Sequence, residues 1–344
     1  EGKKTLANIL TSNNIEAIQA KQEAIEELSN KVSWRQHFSA LASLVTVKDT
    51  SNTILSWIVN YKSVFPKYLA KIRQYFTELD VLEVDTPLAY DYPVTDPFID
   101  VFSIDTKAGT KYLQSSPEYA MKRLLAQGSG SIYQICKAFR ADDCARLHNP
   151  AFPMLEWYRV GIDYFQLMKE TEQLFNQLKP TLKFEYLSYQ DTFEKHLGFN
   201  PHIEGLDFLL EKVDSIVGKI YGVENLTIAD CLDILFSFEI EKKLSRNNTV
   251  YFIYDYTIYQ SALAKKVTNN NNQEVAARFE IFYGGIELAN GYYELIDKSE
   301  QLARFKQDLK IREAQGKNRV AIDSELLDCL DKIPECSGVA LGID

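Results

Sequence analysis

Histidine and cysteine are scarce in this 344-residue chain, with four of the former and five of the latter. His37, His148, His196 and His202 are scattered without the spacing of zinc ligands. Cys136, Cys144, Cys231, Cys329 and Cys336 form no CxxC pair and no even framework, so reduced thiols are expected. No apolar run is long enough to span a bilayer and no signal-peptide pattern is present, which predicts a cytoplasmic protein without a membrane partner. Basic charge is also short: 38 Lys and Arg against 48 Asp and Glu leave a formal net charge of −10. Such a surface repels nucleic acid in general, so any phosphate site must be a local basic pocket. Neither GxxxxGK[ST] nor GxGxxG occurs, and a nucleotide would have to be held by another device.

What is present is apolar and aromatic: 46% hydrophobic and 12% aromatic residues are enough for a large core in one or two domains. Residues 5–63 read as helical, with Ile15, Ile18, Ile25, Leu28 and Val32 at helical spacings. Pro66 opens a helix whose face carries Leu69, Ile72, Phe76 and Leu79, and Val81–Thr86 follows as a strand that Pro87 ends. Strands are predicted at 111–113, 131–139 and 249–256, with a helix at 118–125 and mainly helix over 186–245, where Gly198–Pro201 is a turn. Asn269–Asn272 reads as a solvated loop tip. A helix over 299–315 has Asp297 as its cap, Glu300 three residues on and Gly316 as its stop. Strands mixed with helices, without regular βαβ alternation, predict an α+β fold: an antiparallel sheet flanked by helices, with a helical extension in front.

Two stretches carry chemistry. The first runs from Phe139-Arg140 through Arg146, His148-Asn149-Pro150 and Phe152 to Met154-Leu155-Glu156-Trp157-Tyr158. Two strands flank a polar tip, and alternation puts Met154, Glu156 and Tyr158 on one face and Leu155, Trp157 and Arg159 on the other. Arg140 can fork onto a carboxylate and a phosphate together, Arg146 and His148 can neutralise outer phosphates, and Phe152 can offer a ring to a base.

The second is Arg278-Phe279-Glu280-Ile281-Phe282-Tyr283-Gly284-Gly285-Ile286-Glu287-Leu288-Ala289-Asn290-Gly291. Gly284-Gly285 signals a two-residue hairpin. If Tyr283 pairs with Ile286, then Phe282 opposes Glu287 and Ile281 opposes Leu288. Glu280 and Glu287 become diagonal neighbours about 7–8 Å apart at the backbone. Two like charges turned together call for a cation, and magnesium is the simplest. Asn290 and Glu294 extend the polar set and can hold a substrate's carboxylate and amine. In Ser115-Ser116-Pro117-Glu118, Pro117 reads as a helix start and Glu118 as a further carboxylate for an ammonium group.

From about Pro66 to Asp344, roughly four-fifths of the chain, the sequence resembles class II aminoacyl-tRNA synthetases. Within them it resembles the lysyl branch, and above all the bacterial paralogues that lysylate elongation factor P. The resemblance rests on Ser-Pro-Glu-Tyr then Met-Lys-Arg-Leu-Leu, His-Asn-Pro then Met-Leu-Glu-Trp-Tyr-Arg, Gly-Ile-Glu-Leu-Ala-Asn-Gly and Cys-Ser-Gly-Val-Ala-Leu-Gly. Such matches in order and spacing are highly specific. The helix and strand ending at Pro87 look like motif 1, the dimer-forming element, residues 131–159 like motif 2, and Gly338–Asp344 like the start of motif 3.

The resemblance implies ATP-dependent activation of lysine or β-lysine as an adenylate, then transfer to a side-chain amine of elongation factor P, in a homodimer built through motif 1. It implies that Arg140 bridges the substrate carboxylate and the α-phosphate, that Arg146 and His148 face the outer phosphates, and that Phe152 stacks on adenine. Asp142 stands where the family has a Glu at the nucleotide, and Ala151 where it has a carboxylate. Glu280 and Glu287 would hold Mg2+. Glu118, beside Ser116, would take the backbone-type amine, Tyr158 and Glu294 the terminal ammonium, and Asn290 the carboxylate. Ala340, where the synthetases tend to have Gly, would favour a β-amino isomer.

Transfer to tRNA is not expected, because about 65 helical residues stand where a lysyl-tRNA synthetase carries an anticodon-reading barrel of alternating strands. Residues 1–63 form the predicted extension, of which Gly2–Leu6 and Ile18–Leu28 resemble a helical segment of MutS-family proteins. Residues 64–344 form the catalytic domain, stopping within motif 3 before its arginine. If Asp344 is the true end, weak adenylation is expected. Other readings are a catalytically impaired synthetase-like binding module and a truncated lysyl-tRNA synthetase.

Overall fold

A long sheet with helices on both faces organises the computed structural model, which describes residues 65–141, 149–218 and 226–343. Leu69–Asp344 form one compact unit. The extension expected at 1–63, with its MutS-like likeness, lies outside the described residues, as do Asp142, Arg146 and His148.

In chain order the elements are α1 (Phe65–Glu78), β1 (Leu82–Glu83), β2 (Ala89–Tyr90), β3 (Ser103–Thr106), β4 (Gly109–Leu113), α2 (Glu118–Ala126), β5 (Ile132–Phe139) and β6 (Ala151–Val160). Then come α3 (Tyr164–Leu178), β7 (Lys183–Ser188), α4 (Tyr189–Leu197), α5 (Leu206–Val217) and α6 (Ile228–Leu235). The last are β8 (Thr249–Tyr256), β9 (Lys266–Thr268), β10 (Glu274–Tyr283), β11 (Ile286–Tyr293), α7 (Lys298–Ala314), α8 (Ser324–Cys329) and β12 (Cys336–Gly342). The nine-stranded sheet runs β1-β5-β6-β12-β11-β10-β8-β7, with β9 beside β10. Only the outermost pairs, β1 with β5 and β7 with β8, are parallel. β2, β4 and β3 form a small second sheet.

Alternation along the strands divides the core. One face buries Leu155, Trp157, Val339, Phe279 and Phe252 against α1 and α3. The other face is covered in two places. Around Tyr189, Phe193, Leu232 and Phe282 it packs on α4, α5 and α6, and around Met121, Leu125, Phe305 and Leu327 on α2, α7 and α8. Between these two apolar patches the same face is polar, and there the candidate site lies.

Local chemistry explains the elements that frame it. Asp297 caps α7 by accepting a hydrogen bond from the Glu300 N–H (2.7 Å), and Gly316 follows with φ +71°. The hairpin turn has both glycines left-handed (φ 64° and 76°), as a type I′ turn requires, and Tyr283 pairs with Ile286 as expected. The expected strand over 81–86 is shorter, because only Leu82 and Glu83 pair with β5. The segment 183–188, partly expected as helix, is the strand β7, whose Tyr186 ring stacks on Phe252 of β8 at 4.6 Å.

Candidate active site

One transverse row of the sheet builds the floor of the site. Gln134 of β5 pairs with Glu156 of β6, Glu156 with Ala340 of β12, Ala340 with Asn290 of β11, and Asn290 with Glu280 of β10. The neighbouring row runs Tyr158, Gly338, Tyr292, Arg278. Residues far apart in the chain thus share one face because the strands place them in register.

Beyond Glu280 the expected register needed correction. Phe282 does oppose Glu287, but Ile281 opposes Ala289, not Leu288, because Leu288 is an extra residue in a β-bulge. The bulge has a consequence for the carboxylates. In a regular strand Glu287 and Ala289 would point the same way. Here Ala289 is buried in the core on the α1 and α3 side, while Glu287 joins the field of Glu280, Arg278 and Arg140. Glu287 is exposed on its surface yet densely surrounded, the situation of a side chain on the floor of an open cleft. That enclosure and then the Glu280 charge push its carboxyl well above the ordinary range, against Arg278 and Arg140.

A second irregularity aims a support. Asp255 has φ +59°, a conformation that Asp tolerates. It breaks the alternation, so Tyr254 packs on the α1 and α3 side and Tyr256 on the site side. The Tyr256 hydroxyl then donates to Glu280 Oε2 at 2.6 Å. Arg278 pairs with Glu280 Oε1, donates to the Gln260 carbonyl at 2.8 Å and to Asn290 Oδ1 at 3.3 Å, and stacks over Tyr256. Glu280 and Asn290 are therefore held by one guanidinium.

At the motif 2 end, Arg140 follows β5, and its N–H donates to the Pro150 carbonyl at 2.9 Å. Its guanidinium lies over the Phe152 ring, 5.3 Å from the centroid. The cationic and aromatic groups expected at the nucleotide thus lie together.

The amine end is carboxylate-rich and buried. Ser116 Oγ donates to Glu156 Oε2 at 2.7 Å and accepts from the Glu118 N–H at 3.0 Å. Tyr158 donates to Glu156 Oε1 at 2.8 Å. Lys122 Nζ lies 2.7 Å from Glu118 Oε1 and 2.6 Å from Glu294 Oε2. Glu294 is 1% exposed, so its carboxylate meets Lys122 and the Gly338 backbone N–H out of reach of bulk water. Burial, and then Glu118, raise the Glu156 carboxyl. Burial raises that of Glu294, partly offset by Lys122. Burial and Glu156 hold the Tyr158 hydroxyl protonated. Gly338 makes room: a Cβ there would lie 2.4 Å from Tyr158 Cε1 and 2.6 Å from Glu294 Oε1.

The structure places Tyr158, Asn290, Ala340 and Glu280 on these two rows, with Ser116, Glu118, Glu294 and Glu287 beside them and Arg140 and Phe152 at the motif 2 end. Glu156, Lys122, Arg278 and Tyr256 were given no role from sequence. Glu156 had a signal, since alternation already put a carboxylate on the Tyr158 face. Tyr256 had none, because its direction depends on the backbone at Asp255.

Comparison with known proteins agrees with this geometry. The model of the family described as tRNA synthetases class II (D, K and N) matches residues 48–344. Among similar proteins is an elongation factor P--(R)-beta-lysine ligase of Avibacterium paragallinarum, 40% identical over 288 residues, covering 81% of this chain and 87% of that one. Proteins of the same name from Pectobacterium atrosepticum and Yersinia enterocolitica are 41% and 42% identical over 284 residues, each covering 80% of this chain and 86% of its own. The family match, the relatives and a mainly antiparallel sheet bearing a polar row agree: the chain belongs to the class II tRNA synthetases.

Proposed function

We propose that the protein is an ATP-dependent ligase that activates lysine or (R)-β-lysine as an adenylate and transfers it to a lysine side chain of elongation factor P. The observation that carries this reading is the pocket of Glu118, Glu156 and Glu294 beside the row, with Arg140 just beyond the end of β5. A substrate with two ammonium groups and one carboxylate complements that arrangement. The burial of the Glu294 carboxylate among further carboxylates favours an ammonium partner. The names of the relatives point to the β-isomer and to the acceptor.

In the first step a carboxylate oxygen of the substrate attacks the α-phosphorus of ATP, the bond to the bridging oxygen of the β-phosphate breaks, and pyrophosphate leaves. Arg140 neutralises charge that grows on the α-phosphate, and Phe152, with the guanidinium 5.3 Å from its centroid, stacks on adenine. Asn290, oriented by Arg278, takes the substrate carboxylate. Glu118 receives one amine, and Glu294 with the Tyr158 and Glu156 pair receives the other. In the second step a neutral amine of the factor attacks the acyl carbon, AMP leaves, and the attacking nitrogen loses a proton to solvent. The reaction needs no tRNA, and the acidic surface disfavours RNA.

Glu280 and Glu287 fit a magnesium ion: both donors are hard oxygens, and burial, then the Glu280 charge, raise the Glu287 carboxyl, a cost that a cation would relieve. When bound there, the ion would supply positive charge beside the phosphates and so lower the charge facing the nucleophile. Asp142, Arg146 and His148 complete the nucleotide site in this reading. Ala340, between Glu156 and Asn290, narrows the floor by one methyl and favours the β-isomer. The exposed Leu82, in the strand that closes the motif 1 region, with Leu88 just after it, suits a homodimer contact there. No helix among the described residues is long and apolar enough to cross a membrane, and the proposed acceptor places the reaction in the cytoplasm.

Pyrophosphate–ATP exchange without tRNA, offering α- and β-lysine separately, tests the first step. Exchange with β-lysine preferred is expected, followed by a gain of one lysyl residue in the mass of elongation factor P. A folded protein that supports neither would overturn the reading.

A further inference from the structure

One ammonium of the protein stands within the amine pocket itself. Lys122 is 1% exposed and lies between Glu118 and Glu294, at 2.7 and 2.6 Å. It sits four residues after Glu118 on α2, flanked by Met121 and Leu125, both buried in the core beneath α7 and α8. That packing holds the helix turn that carries Lys122, which bridges the two carboxylates from within the pocket. Burial weakens its hold on the proton, and the two carboxylates outweigh burial and strengthen it.

The charges then balance in a specific way. Glu118, Glu156 and Glu294 contribute three negative charges when ionised and Lys122 one positive, giving −3 + 1 = −2. Two ammonium groups neutralise that pocket and one does not. We propose that Lys122 is a positioning residue that fixes the spacing and charge of Glu118 and Glu294, and so selects substrates carrying two ammonium groups. This inference rests on the lysine-type reading above.

Glu294 is faced by Glu118 and Lys122 from α2, by Glu156 and Tyr158 from β6, and by Cys336 from β12. Lys122 is the cation of that group. Without it Glu294 holds a proton more tightly, and an incoming ammonium must displace it. The acid limb of kcat/KM therefore moves to higher pH when Lys122 is neutralised, a change that a purely structural role would not produce.

The test compares the wild type with Lys122→Met and Lys122→Arg in pyrophosphate exchange, using β-lysine, α-lysine and norleucine, which lacks the terminal amine. Lys122→Met is expected to raise KM for the diamines about tenfold or more with kcat within about threefold. It should shift the acid limb upward by about one pH unit or more and shrink the preference over norleucine about tenfold. Lys122→Arg should restore most of each. A Lys122→Met protein that melts like the wild type with unchanged KM, limb and preference overturns the proposal.

Nitrogen-15 NMR of the wild type gives a test free of catalysis and of variant folding. The Lys122 signal, assigned by its absence in Lys122→Arg, should remain that of an ammonium beyond about pH 11. Titration at the ordinary lysine value overturns the proposal. If the wild type gives no exchange, the reading of function fails, and calorimetric binding of pentane-1,5-diamine against pentylamine decides the charge argument. Preference for the diamine that is lost in Lys122→Met supports it, and equal binding overturns it.

Discussion

Arg140 touches both proposed halves of the nucleotide site, through its own charge and through the Phe152 ring beneath it. A preorganised cation aimed at developing charge is typically worth 10²–10³ in rate, about 3–4 kcal/mol. Arg140→Ala should therefore lower kcat/KM for pyrophosphate exchange by about that factor. Arg140→Lys should recover only part of it, because an ammonium cannot fork onto two oxygens. A fall of less than about threefold in Arg140→Ala would remove this residue from the catalytic machinery. Gly338 offers a complementary test at the amine end. Its missing side chain is the space into which Tyr158 and Glu294 lean, at 2.4 and 2.6 Å from where a Cβ would stand. Gly338→Ala should raise KM for the diamine substrate by about tenfold or more while KM for ATP stays within about twofold, as steady-state kinetics with each substrate varied would read. Equal rises in both would place the damage in the sheet as a whole.

The elements hold these residues in place through cross-strand fits, and β10 and β11 show how closely. Gly291 opposes Phe279, and a Cβ on Gly291 would fall 2.3 Å from the tip of that ring. The aromatic lies over the glycine and fills the space that the absent side chain leaves. Gly291→Ala forces the ring off its position in the core, and overpacking of this kind costs about 1–3 kcal/mol. Calorimetry should find the melting temperature lowered by several degrees, and Phe279→Leu in the same chain should recover part of the loss. No recovery would mean that the strain lies in the backbone.

The same pair of strands marks the limit of what the sequence discloses. Gly284-Gly285 dictates a type I′ turn, and Phe282 opposite Glu287 follows from it by counting. Leu288 breaks the count at the very next residue. A β-bulge is set by what packs on each face, here Ala289 against the helices α1 and α3, and no local pattern encodes it. The motif 2 strand was legible for the opposite reason: β6 has no irregularity in its pairing with β5, so alternation alone put Glu156 and Tyr158 on one face. Lys122 escaped notice because only the tertiary fold brings Glu294 to it, 172 positions along the chain from α2 to the end of β11.

At the scale of the whole molecule, the cleft concentrates carboxylates between two apolar patches that the sheet holds apart. Folding raises the carboxyls of Glu156 and Glu294, to about 8 and about 7, by burying them and by turning Glu118 toward them. A carboxyl raised on folding binds its proton more tightly in the folded state than in the unfolded one. Its contribution to stability is therefore complete below the unfolded value, about 4.3, and is lost as pH rises through the folded value. The ligand-free protein should melt several degrees lower at about pH 9 than at about pH 6, a loss on the order of a few kcal/mol. A substrate bearing two ammonium groups supplies at high pH the positive charge that protons supply at low pH. Saturating β-lysine should therefore raise the melting temperature more at about pH 9 than at about pH 6, and flatten the pH dependence of the free protein. Glu156→Gln and Glu294→Gln each remove one titrating group, so each should flatten the ligand-free slope and weaken the gain from β-lysine. Scanning calorimetry at both pH values, with and without the amino acid, reads all of these at once. If the slope persisted in the two variants combined, it would belong to charges outside the pocket, and the carboxylates would not be what the substrate relieves.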